Sequence, residues 1–155
     1  MMSIQFILPE IDRANTRKAV EEALEKYRIA SLSIQVDLLP QVTQKFSLIP
    51  ASYTGLNHSS TENTALKNIE SEYQEVQRNR YMDFIMRSVN RLSMAERQII
   101  IKRYIQDEEM YDYEVYNDLG MSESKYYRLK SRAFYKLAFA MKIEVYGPTE
   151  QVVSS

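Results

Sequence analysis

Between Ser59 and Gly120 the chain contains neither Gly nor Pro. Those two residues are the strongest interrupters of regular backbone, so their absence over so long a run favours continuous helix. Leu66, Ile69, Tyr73 and Val76 recur there at spacings of 3, 4 and 3. Arg80 takes the next seam position, and Phe84, Ile85, Val89 and Leu92 continue an apolar face. Ser59 and Glu62 spell a capping box at its start. The pattern predicts one helix over roughly 60–91, with a heptad-like seam in its first half. Such a helix would be on the order of 45 Å long and cannot bury its stripe alone. It must pack on another helix of the chain, on a second copy of itself, or both. Of these, the seam favours a homodimer.

Shorter elements are expected on either side. Val20, Leu24, Tyr27 and Ile34 recur at helical spacing behind Asp12 or Asn15 as caps, which predicts a helix over 12–33. Pro40, Pro50, Gly55 and Asn57 break the pattern across 35–58, an expected irregular arm. Ser93 and Glu96 form a second capping box ahead of Ile99, Ile100 and Ile101, opening a helix to about Tyr104. Another helix is expected from Tyr111 or Asp112 to Leu119, stopped by Gly120. Ser122 caps a last helix running to about Ile143, before Gly147 and Pro148.

Composition excludes several kinds of chemistry. With 3 Gly, neither a dinucleotide fingerprint nor a phosphate loop can be written. With 0 Cys and one His, His58 in a polar loop, cysteine metal sites, disulfides and His pairs are excluded. No usable catalytic constellation remains, and Asp112 with Glu114 lacks an accompanying nucleophile or base. The expectation is a protein that is not an enzyme and takes no cofactor. No apolar run approaches the ~20 residues that span a bilayer, and no secretory signal is visible, so no membrane partner and a cytoplasmic location are expected.

The formal net charge of -1 conceals a sharp local asymmetry. Tyr104 to Gly120 holds six acids and no Lys or Arg; Met121 to Lys142 holds six bases and one acid. At the junction stands Leu119-Gly120-Met121-Ser122. Gly permits positive φ in a tight corner, the Met plugs the angle between two helices, and the Ser caps the second. That is a helix-turn-helix pattern. Projected at 100° per residue, Tyr126, Leu129, Ala133, Phe134, Leu137 and Ala140 form one face of the last helix. Ser124, Lys125, Arg128, Ser131, Arg132 and Tyr135 form the other, which suits a DNA groove. A basic helix face alone is more often merely solvated; it is the turn beside it, taken together with the family resemblance given below, that favours DNA. For the acidic block, a partner contact is the alternative to the favoured reading, in which Val115, Tyr116 and Leu119 are core and the acids are solvated.

The segments LSMAERQIIIKRY and EVYNDLGMSESKYYRLKSRAFYKLAFA resemble the fourth conserved region of bacterial sigma factors. Leu92-Ser93, Glu96-Arg97, Arg103-Tyr104 and the Leu119–Ser122 turn carry that likeness, over about Leu92 to Met141. Glu123, where sigma factors usually have a cation, and Tyr126-Tyr127 depart from it, so the ordinary -35 hexamer should not be read. Nearly the whole chain, from PEIDRANTRKAVEEALEKYR through HSSTEN to NRLSMAERQIIIKRY and beyond, resembles the ArpU family of phage-encoded transcriptional regulators, related to RinA-type late regulators.

These resemblances imply an all-α protein: an N-terminal helix and irregular arm over 1–58, a long helix over 59–91, a helix-turn-helix domain over 92–146 and a flexible tail over 147–155. They imply a sequence-specific regulator of prophage late genes that binds double-stranded DNA, with bacterial RNA polymerase as a second candidate partner. Ser124 and Arg128 would read bases, with Glu123 accepting from a cytosine amino group or orienting Arg128. Lys125, Lys130 and Arg132 would hold phosphates. Ser122, Tyr127 and Ser131 complete the expected DNA-binding set. The rivals are a small terminase subunit and a sigma-like module that holds polymerase without touching DNA.

Overall fold

The computed structural model describes residues 3–34 and 61–147. The arm expected over 35–58, His58, the capping box at Ser59 and the tail from 148 lie outside them. The described residues form five α-helices and a π-helical turn, with no strand among them. The helices are α1 (Arg13–Leu32), α2 (Thr61–Val89), α3 (Met94–Ile100), α4 (Asp112–Asp118) and α5 (Glu123–Ala140). The all-α architecture expected from the sequence is therefore the observed one. Among the described residues no helix is long and apolar enough to cross a membrane.

Local chemistry accounts for most boundaries. Asp12 caps α1 by accepting from the Asn15 backbone N–H at 3.1 Å. At α3 the Glu96 N–H donates to Ser93 Oγ, and the Ser93 N–H donates to Glu96 Oε1, which completes the capping box. α4 ends in a Schellman motif: Gly120 has φ +65°, its N–H donates to Asn117 O, and Met121 N–H donates to Tyr116 O. α5 ends in the same motif, with Lys142 in the left-handed position at φ 57°.

One helix departs from its expected course. α3 does not run unbroken to Tyr104 but passes into a π turn over Ile101–Ile105, where Gln106 N–H donates to Ile101 O at 2.9 Å. The Arg28 guanidinium from α1 donates to the carbonyls of Arg103 and Gln106, at the end of this turn.

Two apolar clusters hold the molecule together. The larger joins Val20, Leu24 and Tyr27 of α1 to Ile85 and Val89 of α2 and to Phe134, Leu137 and Ala138 of α5. The smaller, inside the helix-turn-helix, is Ile99, Val115 and Tyr126, with Leu119, Met121 and Leu129 around it. α3 supplies Ile100 to the first and Ile99 to the second, so a single helix keys both together. Farther toward the start of α2 the described residues provide no such cover: Leu66, Ile69 and Tyr73 are each about two-thirds exposed.

A polar clasp closes the start of α1 on the segment after α5. Asp12 N–H donates to Val145 O at 2.7 Å, and Ile11 bridges to Tyr146 in antiparallel fashion. The buried Thr16 hydroxyl donates to Val145 O at 3.1 Å and accepts from Val145 N–H at 3.0 Å. Thr16→Val should strand that N–H and lower the free energy of unfolding in urea by about 1–3 kcal/mol. Gly120→Ala meets no neighbouring atom, so its cost is that of φ alone. Roughly 1–2 kcal/mol is expected in the same titration.

Candidate nucleic-acid interface

The candidate site is the outer face of α5, and its geometry is set from behind by carboxylates. Asp112, the first residue of α4, receives three donors on Oδ1: Tyr126 Oη at 2.5 Å, Lys130 Nζ at 3.0 Å and Arg103 Nε at 3.2 Å. Burial alone would raise the Asp112 pKa, but hydrogen bonds from Tyr126 and Lys130 and the charges of Lys130 and Arg103 outweigh it and hold the carboxyl below its ordinary range. Burial and the Asp112 carboxylate together push the Tyr126 phenol well up, so it remains a donor. This hub joins α4 to α5 across the Gly120 corner and both to the π turn.

A second pair fixes α5 to α3. Lys136 Nζ lies 2.8 Å from Glu96 Oε1, and the Glu96 side chain is buried. Burial opposes ionisation there, yet the hydrogen bonds from Lys136 and Ser93 hold the pKa below normal. Arg97, beside it, donates to the carbonyls of Asn90 and Leu92 and braces the entry to α3.

The residues expected to touch DNA fall into two groups. Ser122, Glu123, Ser124, Lys125, Tyr127, Arg128, Ser131 and Arg132 are all exposed and share the outer side of the corner and helix. Ser122 is also the cap, its hydroxyl accepting from Lys125 N–H at 3.2 Å. Among the described residues, no ion pair engages Lys125, Arg128 or Arg132. Tyr127 and Tyr135 are each 40 % exposed, their rings packed edge-on to Tyr126 and Phe139.

Lys130 is the correction. It was expected to hold a phosphate, but its side chain is only 6 % exposed and its ammonium is bound by Asp112. Tyr104 and Phe134 flank that ammonium, with ring centroids 5.4 and 5.7 Å away. Moving it to solvent would take one of three donors from Asp112. The six bases from Met121 to Lys142 thus divide: Lys130 and Lys136 hold the fold, Lys142 sits in the turn that closes α5, and three cations face outward.

The acidic block divides in the same way. Val115 is buried, and Tyr116 and Leu119 pack half-buried on its cluster. Asp112 serves the hub, Asp118 pairs with Lys102, exposed Glu109 pairs with Arg28 at 3.4 Å and Glu114 accepts from the Tyr111 N–H, while Asp107 and Glu108 are simply exposed. Tyr111 and Tyr113 stack on each other in solvent, with centroids 5.9 Å apart. Sequence reasoning found the capping role of Glu96 but missed its pairing with Lys136, and it missed the roles of Asp112 and Arg28. A lysine surrounded by aromatic residues eighteen positions after an aspartate carries no local mark of burial.

Similarity to other proteins points to phage. "Uncharacterized phage-related protein Lin1259/Lin1739" of Listeria innocua serovar 6a is 32% identical to the chain over 145 residues, spanning 94% of this chain and 99% of that protein. Protein Gp66 of Listeria phage A118 is 26% identical over 143 residues, spanning 90% of this chain and 96% of its own length. The chain belongs to the same family as the Listeria innocua phage-related protein. No family model matches the chain, and no solved structure matches it.

Asp112→Asn should cost about 2–3 kcal/mol at pH 7, because it leaves the Lys130 ammonium buried without its countercharge. The sign with pH follows from the depressed pKa. The folded carboxyl titrates below the unfolded one, so its stabilisation is complete above about pH 4–5 and is lost as pH falls further. Urea midpoints of the two proteins should converge as pH is lowered through this range.

Proposed function

We propose that the protein is a sequence-specific DNA-binding transcriptional regulator of phage late genes, placing α5 in the major groove. One observation carries this reading: α5 turns three cations that no ion pair among the described residues engages, and two serine hydroxyls, to solvent on one side, behind a tight Gly corner. Cations on that side neutralise phosphates and release counterions. Arg128 and Ser124, in the first two turns, are placed to reach base edges. Glu123 would accept from a cytosine amino group or orient Arg128. Lys125 and Arg132 would hold the backbone, without Lys130. The resemblance to ArpU regulators and the phage origin of the relatives support the same reading. The role is binding and requires no cofactor or catalysis; it places the protein with the DNA of the host cell.

The proposal includes a homodimer. Leu66, Ile69, Tyr73 and Val76 lie exposed at heptad spacing, and the partner that matches such a seam in length and register is the same seam on a second copy. Ile69→Lys with Tyr73→Lys should turn a dimer into a monomer in sedimentation equilibrium while the helical signal of the chain persists. A ring of many copies in light scattering would instead favour a small terminase subunit.

The stacked Tyr111 and Tyr113 beside three exposed acids support a second reading, in which the fold holds RNA polymerase without touching DNA. Selection of binding sites from a random duplex library with the full chain separates the two. An enriched motif is expected. On it Arg128→Ala should lose about 1–3 kcal/mol and relax one position, and Lys125→Ala should weaken all sequences alike and reduce the salt slope by about 1. No enrichment, with retained polymerase binding, would replace the first reading by the second.

A further inference from the structure

A second cationic element stands beside α5, on a part of the chain outside the helix-turn-helix. The first turns of α1 and the middle of α5 enclose a solvent-open cleft of about 490 Å³. Arg13 and Arg17 line one wall; Tyr127, Ser131, Arg132 and Tyr135 line the other. Among the described residues no Asp or Glu lines it. Arg13 and Arg17 are one helical turn apart and exposed. Among the described residues Arg17 is held only by a 3.5 Å contact to Glu21, with both side chains about half exposed, a pairing too weak to withhold it from a stronger anion.

The two walls of the cleft are also tied together. The Asp12, Thr16 and Val145 hydrogen bonds tie the start of α1 to the segment that follows α5. Three guanidinium groups from two clasped helices, with serine and tyrosine hydroxyls beside them, match the oxygens of a phosphodiester. Arg132 stands one turn, ~6 Å along the axis, beyond Arg128. With Arg128 at the bases of a groove ~12 Å wide, the cleft falls where one bounding strand must pass.

We infer that the N-terminal turns of α1 form a backbone clamp, in which Arg13 and Arg17 close with Arg132 on the phosphates of one DNA strand beside the recognition helix. This rests on the DNA-binding reading above and extends it to a helix that the helix-turn-helix pattern does not include. The clamp adds affinity and fixes the approach angle but reads no base.

The test measures duplex binding by fluorescence anisotropy across a salt series, with the full chain and a selected site. Arg13→Gln with Arg17→Gln should lower the magnitude of the log–log salt slope by about 1.5–2, with base preference unchanged. Arg13→Lys with Arg17→Lys should restore most of that slope, which a loss of folding would not allow. If the glutamine pair keeps the wild-type slope and affinity while Arg128→Ala still relaxes specificity, the clamp is wrong and the recognition helix stands. If the wild-type chain binds no duplex at any salt, both fall together.

Discussion

The helix-turn-helix depends on a single carboxylate. Asp112 opens α4 and draws three donors, two from α5 and one from the π turn, onto one oxygen. A corner made by one glycine fixes where the chain reverses, but it leaves the angle between the helices loosely specified. The Asp112 hub sets that angle, because Tyr126 and Lys130 lie one turn apart on the buried side of α5 and must both reach the same atom. A buried ion pair contributes little net stability against an apolar replacement, but its geometry is demanding. Here that demand is met by the smaller cluster of Ile99, Val115 and Tyr126, which packs the corner beneath it.

Rigidity then passes outward through α3. Ile99 and Ile100 are adjacent and point into different cores, so α4 and α5 cannot shift without disturbing α1 and α2. Lys136–Glu96 and the Thr16–Val145 clasp repeat the connection in polar form at the other end of α5. The outward face of α5 is thus carried by a helix restrained on every other side. A surface meant to recognise a partner by hydrogen bonds requires such a support, since small displacements of its donors forfeit them. The exposed seam of α2 is set apart from this framework, at the end of the helix farthest from the core.

What the sequence disclosed was local. Gly120 at positive φ, the Ser93–Glu96 box, the Ser122 cap and the buried stripe of α1 each depend on residues a few positions apart, and each lies where periodicity and turn chemistry put it. The outward face of α5 was legible for the same reason: a helical projection needs only its own residues. What escaped was long-range or against type. Thr16 and Val145 are 129 positions apart, and nothing in either neighbourhood announces the other. Ile99, Ile100 and Ile101 read as one continuous helix, while the backbone loosens into a π turn at Ile101. Lys130 reads as solvent-facing because lysines usually are; its burial depends on a carboxylate beyond the corner and on rings from the π turn and its own helix.

The account rests on α5 as the surface that meets DNA. The most direct test is to record backbone amide shifts of the full chain as a random-sequence duplex is added at low salt. Perturbations concentrated from Ser122 to Tyr135, with those of Leu66 to Val76 unchanged, are the expected result. Shifts confined to the acidic face from Asp107 to Tyr113, or no shifts along α5 at all, would contradict it.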